Sequence, residues 1–103
     1  MKQTERITEM ERRLDASQEA IRKLSEALDA YEQNRKDLQK LVDYYGSPMW
    51  MKDFEDDEAG KLPQNLKRGV LSEDAVYDLI TDHYETILRM TRIVTKAIEG
   101  KML

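Results

Sequence analysis

His83 is the only histidine in the 103 residues, and its imidazole is the first candidate for chemistry. It could act as a general base in a small-molecule site completed by Arg35, Tyr31 and Tyr84. It could instead form a polar layer that fixes the register of two packed helices, and this structural interpretation is favoured. Serine and thiol nucleophiles are not supported, because the chain has no nucleophile elbow and no cysteine.

The acidic run from Asp53 to Glu58 suggests a divalent-metal site, because carboxylates are the usual ligands of hard cations. A calcium loop that began at Asp53 would need glycine at position 58 and glutamate at position 64, where the chain has Glu58 and Gln64. The run fails that motif. It leaves open a nonspecific divalent site, a solvated face, or a partner for the cations of the following loop: Lys61, Lys67 and Arg68.

A second group of carboxylates, Asp74, Asp78 and Asp82, repeats every four residues and therefore lies on one face of a helix. Carboxylate-bridged metal bundles need paired Glu-x-x-Glu or Glu-x-x-His spacings, and Glu55-x-x-Glu58 has no counterpart on a long helix. Carboxylates in the first turns of a helix also interact favourably with its dipole. We therefore expect no metal and no other cofactor.

Composition narrows the possible partners and location. Residues 46–60 hold one cation and five anions, which accounts for the whole net charge of −4. No basic face is evident, so nucleic-acid binding lacks electrostatic support. No apolar run exceeds three residues, which argues against a membrane span. Together with the absence of cysteine, this predicts a cytoplasmic protein.

The first helix is predicted over residues 4–45, which contain neither glycine nor proline. Its apolar residues follow a heptad repeat, as in coiled coils. The first seam position holds Ile7, Leu14, Ile21, Leu28, Arg35 and Val42, and the fourth holds Met10, Ser17, Leu24, Tyr31, Leu38 and Tyr45. Gly46 is expected to end this helix in the left-handed conformation.

A short helix is predicted over residues 48–58, with Ser47 as its N-cap and Gly60 at its end. The aromatic residues around it are expected to cap one end of the long helices. The last helix is predicted over residues 73–99, with Ser72 as its N-cap. Its apolar face is wider than one helix–helix seam requires, so it should touch more than one helix.

Antiparallel pairing of the two long helices places Arg35 opposite His83, as one buried polar layer, when paired residue numbers sum to 118. Ile7, Met10 and Leu14 then extend beyond the last helix, so either the first helix bends back or a second chain covers them. We expect one helical domain, residues 1–103, with an all-α fold: an antiparallel hairpin of two long helices and a short capping helix. Two copies should form a homodimeric four-helix bundle.

Residues 43–79 carry motifs that resemble the bacterial family catalogued as domain of unknown function 4298. The segments are Asp43-Tyr44-Tyr45-Gly46-Ser47, Trp50, Asp53, Asp56-Asp57, Gly60, Leu62-Pro63 and the run from Leu66 to Leu79. The resemblance implies a small, mainly helical bacterial protein. It implies no activity, substrate or catalytic residue.

The sequence favours a non-enzymatic interaction module that forms a homodimer and presents residues 46–72 to another protein. Exposed aromatic residues dominate many protein interfaces. The expected contacts are therefore Trp50 and Phe54 with the neighbouring acids Asp53, Asp56 and Asp57. The alternative is a small-molecule or divalent-metal enzyme that uses residues 53–58 with His83 and Arg35.

Overall fold

The computed structural model describes residues 2–100, which form three α-helices and one short 3-10 helix. Helix α1 spans Gln3–Tyr45, α2 spans Pro48–Glu58, the 3-10 helix spans Gly69–Leu71, and α3 spans Ala75–Glu99. The predicted all-α class and the order of a long, a short and a long helix are confirmed. No strand occurs within these residues.

Helix α1 is uninterrupted because its sequence lacks helix breakers and its polar side chains pair with one another. Arg22 lies within ion-pair distance of Glu19 at 2.5 Å and of Glu26 at 2.6 Å, which is the i,i+3 and i,i+4 geometry of helix surfaces. The helix ends before Gly46, as predicted. The predicted left-handed conformation of Gly46 is wrong, because Gly60 is the only positive-φ glycine in residues 2–100.

Helix α2 follows the sequence signals at both ends. The Ser47 hydroxyl accepts a 3.4 Å hydrogen bond from the Trp50 N–H, and Pro48 takes the first helical position. Gly60 has a φ of 71°, which reverses the chain after the last turn. The predicted bounds of this helix, 48–58, are confirmed.

Helix α3 begins two residues later than predicted. The Ser72 hydroxyl does accept a 3.0 Å hydrogen bond from the Ala75 N–H, so this serine caps the helix through its side chain. The intervening residues form a turn, and the N-cap position itself falls on Asp74, whose side chain makes no capping bond. The 3-10 helix ends at Leu71, directly before Ser72, and α3 starts only after the turn that follows.

The chain divides into two compact units, Met1–Leu38 and Gln39–Leu103. In the second unit Trp50, Leu71 and Val76 are the buried apolar residues, and the 3-10 helix packs against both α2 and α3. None of the 43 residues of α1 is buried. The single domain expected over residues 1–103 and the register that pairs Arg35 with His83 stay predictions. No helix in residues 2–100 is long and apolar enough to cross a membrane.

Candidate functional site

A hydrogen bond links the last turn of α1 to α2. The Tyr44 hydroxyl donates to a carboxylate oxygen of Asp53 at 2.6 Å, and both side chains are partly buried. Burial, together with the hydrogen bond to Asp53 and its negative charge, raises the pKa of Tyr44 to about 12. The phenol is therefore neutral near pH 7 and serves as a hydrogen-bond donor.

Trp50 lies at the centre of an aromatic cluster. Its ring is stacked on Phe54 with centroids 5.2 Å apart, and it meets Tyr45 edge-on at 5.1 Å. Its indole N–H donates a 2.9 Å hydrogen bond to the Val70 carbonyl, and the residue is only 8% exposed. The prediction that Trp50 belongs to an exposed contact surface is therefore wrong. A tryptophan ring can be buried where a carbonyl accepts the hydrogen bond of its indole N–H. The side chain of Phe54 remains partly exposed.

Two carboxylates of the acidic run, Asp56 and Asp57, pair with cations of the chain itself. Arg68 donates hydrogen bonds to the Asp57 carboxylate and to the Pro63 carbonyl. Asp56 lies 3.4 Å from the Lys52 ammonium and 4.0 Å from that of Lys61. Among the three interpretations of the run, pairing with the following loop is thus confirmed for Lys61 and Arg68.

A cleft of about 350 Å³ opens between the end of α1, α2 and the loop that precedes α3. Its volume is within the range of small-ligand pockets. Its lining combines four aliphatic side chains with the Tyr44–Asp53 pair and one ammonium: Tyr44, Asp53, Leu62, Leu66, Lys67, Val70 and Leu71. Among the described residues, no histidine, serine or cysteine lines it, and its aliphatic side chains can pack against an apolar group.

The remaining predicted site residues are not brought together into a metal centre. In residues 2–100 no group of three or more histidine, aspartate and glutamate side chains could hold a metal ion. His83 is half-buried. The expectation of a buried Arg35 is wrong, because its side chain is 62% exposed and lies 3.6 Å from Glu32. Its long apolar stem lets the guanidinium reach water from a seam position.

The apolar seam of α1 is open to solvent over its first four heptads. Six large side chains in one heptad frame are each 43% to 65% exposed, and they include the three predicted dimer contacts. We call this set the α1 stripe: Ile7, Met10, Leu14, Ile21, Leu24 and Leu28. Ser17 is the one polar residue among the seam positions from Ile7 to Leu28.

Helix α3 shows a contrast between the two flanks of its apolar face. Val76 is buried and His83 and Met90 are half-buried along one flank. The other flank carries Tyr77 and Tyr84, which are both largely exposed. Helix α3 thus carries the wide apolar face that the sequence predicts. Its contact with more than one helix stays a prediction.

A family model described as Domain of unknown function (DUF4298) matches residues 7–93. The chain belongs to this family. The DUF4298 match starts within the α1 stripe, continues through the connection between α1 and α3, and ends inside α3. It therefore confirms the resemblance that was based on residues 43–79. No curated protein and no solved structure shows a significant match to the chain.

Sequence reasoning did not find the Tyr44–Asp53 hydrogen bond, and it gave the pairing of Arg68 with the acidic run only as one of three interpretations. Both depend on how the chain folds back after α2, which no helical period encodes. A signal was present in the DUF4298 motifs, since these motifs include Tyr44, Asp53, Asp57 and Arg68. The motif residues thus form the polar contacts that stabilise the connection between α1 and α3.

Proposed function

We propose that this protein is a non-enzymatic interaction module whose α1 stripe binds a helix of another polypeptide. The observation that supports this proposal is that six large apolar side chains in one heptad frame are each 43% to 65% exposed. Contiguous apolar surface of this kind marks a protein interface, whereas single exposed apolar residues are ordinary. A heptad frame specifies a helix as the matching surface.

The opposite face of α1 supports this assignment. It is covered by ion pairs within the helix, which join Glu9 to Arg12 and Arg13, and Glu19 to Arg22 and Lys23. Such ion pairs stabilise the helix from within and leave its polar surface in contact with water. The stripe is therefore the face of α1 that gains most from a partner, because burial removes its apolar area from water.

The connection between α1 and α3 has a supporting role in this proposal. Trp50 is buried within its aromatic cluster, and Asp56 and Asp57 pair with cations of the same connection. We assign the module to the cytoplasm as part of this proposal, and a chain without cysteine is compatible with that location.

Cross-linking in living cells tests the proposal with two variants of equal added charge. The stripe variant carries Leu14→Lys and Ile21→Lys, which place two ammonium groups in the apolar seam. The outer-face variant carries Ala16→Lys and Ala30→Lys, which lie on exposed α1 positions away from the stripe.

We expect the wild type and the outer-face variant to be captured in species of higher mass, and the stripe variant to stay at the monomer mass. Capture of all three chains in the same species, or of none, would overturn the proposal. Far-ultraviolet circular dichroism of each purified variant checks that the helices are retained.

A further inference from the structure

We infer that the α1 stripe binds a second copy of this chain as a parallel, in-register pair of helices. This rests on the proposed function and names its partner. In such a pair the same residues meet in each layer, so the six stripe residues pack against their own counterparts. Exposure of 43% to 65% leaves apolar area on every one of these side chains for that contact.

Two unpaired charges that flank the stripe specify both the partner and the direction. Arg6 precedes Ile7 on one flank, and Glu11 follows Met10 on the other flank. In residues 2–100 neither side chain takes part in an ion pair, although Arg12, Arg13 and Arg22 all do. Both charges are thus available to a partner.

The spacing of these two charges fits parallel pairing. In a parallel two-stranded coiled coil, the residue before a first seam position faces the residue five places later in the other chain. Arg6 of each copy would then face Glu11 of the other copy, twice by symmetry. Flanking charges of this kind set partner choice and orientation in coiled coils.

Antiparallel pairing leaves the same charges without partners. In an antiparallel pair each flank faces the same flank of the other copy. The flank that carries Arg6 and Arg13 therefore faces the later residues of that flank in the other copy, which are Ala20, Ala27 and Asn34. Glu11 likewise meets a flank that offers Gln18 and Ser25. Neither arrangement of like flanks supplies an opposite charge to Arg6 or Glu11, and the parallel pair is therefore favoured.

Disulfide trapping distinguishes the two directions, because the chain contains no cysteine of its own. Met10→Cys places a thiol in the seam, near one end of the stripe. Two such thiols face each other in a parallel pair but lie roughly 25 Å apart when the stripes run antiparallel over their full length. Thr8→Cys is the matched control, because position 8 is exposed and away from the stripe.

With oxidised glutathione, Met10→Cys is expected to form a covalent dimer at least tenfold faster than Thr8→Cys. Equal rates, or trapping of Met10→Cys only when mixed with Leu28→Cys, would overturn the parallel pairing and leave the proposed function standing. No trapping together with a monomeric wild type would overturn self-pairing. The cell cross-linking of the stripe variant then decides separately whether a foreign helix is bound.

Charge exchange provides a second measurement that does not depend on thiols. Arg6→Glu should weaken the dimer about fivefold, and adding Glu11→Arg in the same chain should restore it. Raising the salt concentration should reduce the difference. An Arg6→Glu dimer that is as tight as the wild type at low salt would contradict the assigned ion pair.

Discussion

The Tyr44 hydroxyl donates a 2.6 Å hydrogen bond to the Asp53 carboxylate, across the turn that separates α1 from α2. This contact fixes how the chain leaves the first helix. Trp50, on the intervening turn of α2, donates to the Val70 carbonyl at 2.9 Å. Two side-chain hydrogen bonds therefore hold α2 to the segments on either side of it.

Tyr44→Phe should lower the free energy of unfolding by about 1–2 kcal/mol, because a partly buried hydrogen bond to a charged carboxylate is lost. Urea titration followed by circular dichroism measures the change. Tyr77→Phe is the matched control, since Tyr77 is 61% exposed, and it should change stability by less than about 0.5 kcal/mol. Equal effects of the two substitutions would refute the role given to the Tyr44–Asp53 bond.

The raised pKa of Tyr44 predicts a loss of stability at alkaline pH. The pKa of Tyr44 in the folded chain is about 12, whereas an unperturbed phenol has a pKa of 10.0. The stabilisation is therefore complete below about pH 10 and is lost as the pH rises toward 12. Tyrosinate absorbance, measured by rapid mixing, should show one late-titrating group that is absent from Tyr44→Phe.

A wild-type spectrum in which all five tyrosines titrate together near their ordinary pKa would contradict this expectation. Tyr84→Phe serves as the comparison, because that side chain is largely exposed. It should leave the late-titrating group of Tyr44 in place.

Trp50→Phe should destabilise the fold by about 2 kcal/mol, through the lost indole hydrogen bond and the smaller ring. Because Trp50 is the only tryptophan, its fluorescence also reports burial directly. We expect a blue-shifted emission that acrylamide quenches poorly until the chain unfolds. Met51→Leu, at an exposed neighbouring position, should leave stability unchanged. A readily quenched Trp50 in the folded chain would show that the cluster is open.

Gly60→Ala should cost about 1 kcal/mol, because a Cβ disfavours the positive φ of 71° at this position. Gly69→Ala is the control, since an added Cβ there meets no atom within 4 Å and the backbone is not left-handed. Thermal unfolding of both variants measures the difference. A Gly69→Ala variant that is less stable than Gly60→Ala would argue against the conformation of this turn.

The helices could be predicted from sequence because their signals are local. The heptad repeat defines α1, and Ser47, Pro48 and Gly60 bracket α2 to the residue. The start of α3 was displaced from residue 73 to Ala75, because Ser72 caps the Ala75 N–H across a turn instead of lying directly before the helix. Neighbouring residues decide such features, so sequence patterns capture them well.

The contacts that join the elements could not be predicted in the same way. Aromatic enrichment around Trp50 indicated a packed segment and an exposed contact surface equally well, and only the fold shows that the indole is directed inward. The exposure of the α1 stripe was foreseen for Ile7, Met10 and Leu14 from their position beyond the paired region. That Ile21, Leu24 and Leu28 share this exposure required the structure.

The solution mass of the purified chain tests the central claim most directly. Light scattering behind a sizing column, over a range of concentrations, should give twice the 12.1 kDa of one chain for the wild type and for the outer-face variant. The stripe variant, with Leu14→Lys and Ile21→Lys, should elute as a monomer with its helices retained. A wild type that stays at 12.1 kDa at every concentration, or a stripe variant that remains dimeric, would contradict the assignment of the α1 stripe as the surface on which two copies pair.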